Sequence, residues 1–202
     1  MLPSAVLARP AVRPCPCPRA RRAGVRSGGF TLVELLVTVA IVGIVSALGA
    51  PSFLHALGRH AIQSQAEALR DAVRVGRDEA MKRSGPVVLC RTDPATPGHC
   101  AGTGGSWQTW LLFADVARSG VFAAGDPIVR QNVEPSSRMT VSGDAASVHF
   151  ESTGVAHADT GSSATFVLSP AGSIAGSRAL VRRVCMNARA DVAIVEGDAT
   201  CP

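Results

Sequence analysis

The chain has no tyrosine, and aromatic residues make up only 4% of its 202 positions. Surfaces that hold single-stranded nucleic acid stack bases on aromatic side chains, so this scarcity argues against that class. Also missing are a G-x-S-x-G elbow, an H-E-x-x-H pair, a P-loop and a Rossmann glycine fingerprint. These are the local patterns of many hydrolases, metallopeptidases and nucleotide binders. The glycine-rich stretch GTGGS at 102–106 precedes a strand pattern rather than a helix, which makes it a turn and not a phosphate cradle. His99, His149 and His157 have no acid or nucleophile at a suggestive spacing, and they read as surface or loop histidines. His55 and His60 are five apart and do not share a helix face as metal ligands would. No catalytic residue, cofactor or metal centre is expected.

Acids are absent from residues 1–29, where Arg9, Arg13, Arg19, Arg21, Arg22 and Arg26 lie. The formal net charge of +5 is therefore a property of the N-terminus. With those six arginines set aside, 14 of the 20 Lys and Arg remain against all 15 acids. The basic character of the whole is weak support for an acidic partner. At this length the sequence holds one ordinary domain with an appendage.

Charge is missing again from Phe30 to Ala50, FTLVELLVTVAIVGIVSALGA, where Glu34 is the one ionisable side chain in 21 residues. A helix of that length spans about 30 Å, the thickness of a bilayer core. The preceding arginines keep the N-terminus cytoplasmic and send the remainder across. An ordinary secretory signal cut near Val45–Ala47 is one reading, but the run is longer than a usual signal core and continues into an amphipathic pattern. A plain anchor is another, and it leaves Glu34 unexplained. An isolated carboxylate at the centre of a membrane helix costs about 2.5–3.5 kcal/mol on insertion scales.

The stretch GFTLVELLVTVAIVGIVSALGAPSF closely resembles the N-terminal signature of type IV pilins and type II secretion pseudopilins: Gly29 before the cut, Phe30 after it, Glu34 fifth in the mature chain, Pro51 in the helix. The resemblance implies cleavage between Gly29 and Phe30 by a membrane-embedded prepilin peptidase, N-methylation of Phe30, and assembly into a helical filament. It places the subunit in the bacterial inner membrane as a single-pass protein with a periplasmic C-terminal domain. The leader, at 29 residues, is long for such a signal. In physical terms the cut exposes a cationic amine at Phe30, and Glu34, about one turn along, is an anion for its own or a neighbour's amine. In apolar surroundings that pair gains strength and fixes the axial stagger of subunits.

Pro51 cannot donate to the helical ladder, so a kink is expected there. Residues 51–85 resume a helical pattern with Phe53, Leu57, Ile62, Ala66, Leu69, Val73, Ala80 and Met81 as the apolar stripe. Gly85 and Pro86 end it. Arg70 and Arg74, at i and i+4, lie on a solvated face. From residue 86 to 202 the pattern is strand-like, with candidates at 86–91, 107–115, 127–133, 138–142, 147–152, 164–169, 179–186 and 190–196. Trp107 and Trp110, three apart, are expected on opposite sides of one strand, with at least one in the core. The expected organisation is a leader at 1–29, a filament-core or transmembrane helix at 30–50, its amphipathic half at 51–85, and a β-rich domain at 86–202. The fold class is α+β, a long helix packed on antiparallel sheet.

Four cysteines follow the apolar run: Cys90, Cys100, Cys185 and Cys201. In an exported domain they suggest disulfides, with three possible connectivities. The sequence-local pairs Cys90–Cys100 and Cys185–Cys201 are favoured, because each closes a hairpin or pins a tail. A zinc site lacks its usual C-x-x-C spacing.

RDEAMKRSGPVVLC, WLLFAD followed by GDPIVRQ, HFESTGVA, and a final strand pair ending in CP resemble the GspH/FimT branch of pseudopilins. This implies a structural minor subunit of a type II secretion or type IV pilus filament. Its partners would be other pseudopilins or pilins, the prepilin peptidase and the inner-membrane assembly platform. The alternative within that branch is a DNA-binding minor pilin of natural transformation. Its candidate contacts here are Arg178, Arg182, Arg183 and Arg189. In NARADV, however, Asp191 stands where the branch has a second basic residue, and a carboxylate there opposes phosphate binding.

Overall fold

The computed structural model describes residues 29–102 and 104–202. The expected leader, Gly29 excepted, lies outside the described residues. The chain divides into two units, one ending at Gly43 and the other running Ile44–Pro202. Helical backbone, α1, extends over Leu32–Arg83, with its axis broken between the segments Leu32–Ala47 and Ser52–Arg83. Among the described residues no single helix is long and apolar enough to cross a membrane, whereas those two segments together pass by length and composition.

In the unit Ile44–Pro202 the helix buries Ile62, Ala66, Leu69, Ala72, Val73 and Ala80. Their spacing of three and four keeps them on one side of a 3.6-residue helix. Phe53 and Met81, expected in this stripe, are exposed instead, lying at the ends of the helix segment beyond the buried run 62–80, while Ala72 and Gly76 join the buried face. At Gly76 a Cβ would lie 2.6 Å from the Phe150 ring, so only glycine lets helix and sheet approach so closely. The helix ends in a Schellman arrangement: Gly85 N–H donates to Ala80 O and Ser84 N–H to Met81 O. Ser84, rather than the expected glycine, takes the left-handed position with φ 52°.

Ten strands follow: β1 (Val87–Asp93), β2 (Thr96–Cys100), β3 (Trp110–Ala114), β4 (Ile128–Asn132), β5 (Met139–Gly143), β6 (Ser147–Phe150), β7 (Ala156–Ala158), β8 (Ala164–Pro170), β9 (Arg182–Met186) and β10 (Val192–Glu196). Sheet I has the order β4-β3-β1-β6-β7, with β2 paired to β1, and sheet II the order β10-β9-β8-β5. All of these pairings are antiparallel. Strands β2 and β7 were not among the sequence candidates.

The inner faces of both sheets and the helix share one core, with Phe150 and Leu112 from sheet I and Phe166, Leu168 and Val184 from sheet II. Trp107 and Trp110 both enter it, which corrects the expectation of opposite faces. The strand starts only at Trp110; Trp107 precedes it, donates Nε1–H to Ala145 O at 2.7 Å and meets Phe166 edge-on. A second, smaller cluster of Val88, Cys90, Leu111 and Phe113 lies on the outer face of sheet I, packed by Cys100 and Phe122.

Candidate functional site

The N-terminal segment begins with a cap. The Glu34 N–H donates to Thr31 Oγ1 at 3.2 Å and the Leu35 N–H to Thr31 O at 3.1 Å. Thr31 with Glu34 three residues on is the T-x-x-E pattern of a capping box. Glu34 therefore has a local role that the chemistry of the cut does not require: an acid in the first turn, where the helix dipole favours negative charge. The T-x-x-E spacing itself stands in the sequence, and Thr31 is its capping residue.

Beyond the cap the surface is hydrocarbon on every side. Phe30 is 81% exposed, and Leu32, Val33, Leu35, Leu36, Val37, Val39, Ile41 and Val42 are all exposed within the unit that ends at Gly43. Thr38, the other polar side chain there, turns its hydroxyl back onto Leu35 O at 2.8 Å and so needs no outside partner. Burying each large aliphatic side chain is worth about 1.5–3 kcal/mol. Such a surface is stable only in lipid or against equally apolar protein. Gly29 has nothing within 4 Å of where a Cβ would stand, leaving its backbone open to approach.

The four cysteines join as Cys90–Cys100 and Cys185–Cys201, with Cα atoms 5.5 and 5.6 Å apart. The first holds β2 over the outer face of sheet I; the second ties the tail to β9. Closing a loop of this size contributes about 3 kcal/mol in the chain-entropy picture.

The four arginines expected as one basic patch are not brought together. Arg182 is 8% exposed, bridges to Glu196 at 2.9 Å and donates to the Ala179 and Val181 carbonyls. Arg183 faces Asp198 at 3.8 Å. Arg178 lies on the 3-10 turn Arg178–Leu180 before β9, and Arg189 in the turn after it, at the far end of the β9–β10 hairpin. Asp191, read from the sequence as a repelling charge, approaches Arg77 of the helix at 3.8 Å and shapes the turn with Asn187. Sequence proximity hid this split, because neighbouring strand residues point to opposite faces.

The histidines gave no local signal, yet β6–β7 pairing sets His149 opposite His157, their rings stacked at 5.3 Å. They lie in a cleft of about 530 Å³ with Ser84, Asp115 and Arg118. The clue was the symmetry of HFESTGVAH about a turn-forming S-T-G, which a hairpin reading would have folded onto itself. His149 Nε2 is 3.0 Å from Ser147 Oγ, and burial holds its imidazole below the ordinary histidine value, with His157 adding to that and Asp159 and Asp115 opposing. Among the described residues no three His, Cys, Asp or Glu side chains converge on a metal position.

Comparison with known proteins gives two family matches: a prokaryotic N-terminal methylation motif over residues 25–50, and type II transport protein GspH over residues 65–189. None of the curated proteins matches the chain. Among solved structures it is similar to the type IV minor pilin FimU of Pseudomonas aeruginosa, with 18% identity over 68% of this chain and 90% of that one, at a TM-score of 0.49. It is also similar to the minor pseudopilin EpsH from the type 2 secretion system of Vibrio cholerae, with 12% identity over 66% of this chain and 95% of that one, at 0.45. The GspH model spans more than half of the sequence and the methylation motif covers the segment before it, so the chain belongs to the GspH family, the minor pseudopilins of type II secretion.

Proposed function

We propose that this subunit is made with a leader that prepilin peptidase cuts between Gly29 and Phe30, and that Phe30 is then N-methylated. It waits in the inner membrane as a single-pass protein, N-terminus cytoplasmic and β-rich domain periplasmic. The assembly platform then moves it into a short filament with other pseudopilins. Its role there is structural, with no chemistry of its own.

The observation that supports this most is the helix after the cut, apolar on all sides and carrying one acid in its first turn. An anchor needs only the hydrocarbon. A subunit that must leave lipid needs hydrocarbon from its neighbours as well, and a charge partner for the amine the cut creates. Glu34 supplies that partner, about one helical turn from Phe30. Mass spectrometry of the membrane-extracted protein tests the reading: the expected N-terminus is N-methyl-Phe30. An N-terminus near Ser46–Ala50 would assign the run to ordinary signal cleavage and remove the filament reading.

A further inference from the structure

The outer face of sheet I is covered by a strap, the segment between β3 and β4. Two buried aspartates hold it. Asp115 accepts the N–H groups of Ser119 and Gly120 at 3.0 and 2.7 Å, and Asp126 those of Val116 and Ala123 at 3.0 and 2.9 Å. Phe122 is its apolar foot, edge-on to Phe113 at 5.2 Å. Its tip lies against His149: a Cβ built on Gly120 would stand 3.2 Å from His149 Cε1. Gly120 and Arg118 both have left-handed backbone, φ 73° and 55°. For arginine that conformation is strained and persists only where the surroundings hold it.

We propose that the stacked His149–His157 pair is a pH-sensitive latch, which keeps the strap 116–122 closed on sheet I at neutral pH and releases it in mildly acidic solution. With His149 neutral the rings stack and Gly120 lies against His149. A proton on His149 puts charge on a half-buried ring, with the His157 ring 5.3 Å away adding to the cost. Charge then favours an outward swing of His149, and the strap stands in its way. Charged groups face the pair from the elements packed against it. Glu151, at the end of β6, lies 3.8 Å from His157 Nδ1 and tempers the charge on that ring. Asp159 follows β7 but its carboxylate already accepts the Ala146 N–H. Asp115 is committed to the strap's own N–H groups. On the strap itself Arg118 adds a positive charge, and the helix end contributes only Ser84 and Gly85 to this cleft.

The sign follows from which state binds more protons. Burial disfavours the charged form of His149 in the closed state, so the open form takes up the proton more readily. Closure is complete above the ordinary histidine value and weakens as pH falls below it.

Hydrogen exchange of the full chain in detergent, at pH 7.5 and 5.5 with correction for intrinsic rates, tests this. Amides of 116–122 are expected to lose protection at pH 5.5 relative to β8 and β9, by up to about tenfold, because pH 5.5 lies about one unit below the ordinary histidine value. His149→Gln should remove the pH effect, and His157→Gln, which leaves ring 149 in place, should shrink it. Equal protection at the two pH values in the wild type would overturn the latch. So would an undiminished pH effect in a folded His149→Gln protein or, if that variant does not fold, in His157→Gln.

Discussion

The two stretches of the one helix keep different company. From Leu32 to Ala47 nearly every side chain is apolar and exposed, whichever way it points. Between Ser52 and Arg83 the buried apolar positions form one stripe from Ile62 to Ala80, packed in the core shared with the sheets, while Phe53, Leu54 and Met81 stay exposed. Backbone hydrogen bonding is the same in both. Sequence here encodes the surroundings as much as the shape: a one-sided stripe where the helix packs on protein, and apolar side chains all round where none of the described residues covers it.

Substitutions can break that contrast, and the largest effect is expected from the stripe. We predict that Leu69→Ala lowers the stability of the β-rich unit by about 2–5 kcal/mol, while Leu36→Ala leaves it unchanged. Denaturant unfolding followed at Trp107 and Trp110 reads this, and an equal loss from both would mean the first segment also packs on the sheets. Next comes the tail staple: Cys185→Ser with Cys201→Ser should cost about 3 kcal/mol in the same assay. A loss below half of that would show that β10 is held by its pairing with β9 alone. For the first segment, Glu34→Gln should leave leader removal intact but cut filament incorporation about tenfold, equivalent to about 1.4 kcal/mol. Normal incorporation would sink the amine-pairing account. The smallest effect is expected from Thr31→Ala, about 1 kcal/mol of local helix stability, visible as faster amide exchange at Glu34 and Leu35 and nowhere in the β-rich unit.

Much of this contrast was legible beforehand because it is written in local spacing. The stripe at 62, 66, 69, 73 and 80 and the featureless run before it are patterns along a single element. What escaped depends on partners far along the chain. Strand β2, Thr96–Cys100, contains Pro97 and Gly98, which spoil a strand pattern; pairing with β1 and the bond from Cys100 to Cys90 hold it nonetheless. The histidine stack exists only because β6 and β7 pair in one register. The arginines looked like a patch because four lie within twelve residues, 178–189. Strand alternation and the length of a hairpin then took them apart.

Thr38 spends its hydroxyl on its own helix. Between Leu32 and Ala47 the carboxylate of Glu34 is then the one charged group facing outward, with the Ser46 hydroxyl more than three turns away. On the proposed assembly, a neighbour that slides by a turn finds only hydrocarbon and strands its amine without a counterion. The cylinder acts as a ruler with a single graduation. An incoming subunit can be aligned or misaligned against it, but it has no second mark at which to come to rest.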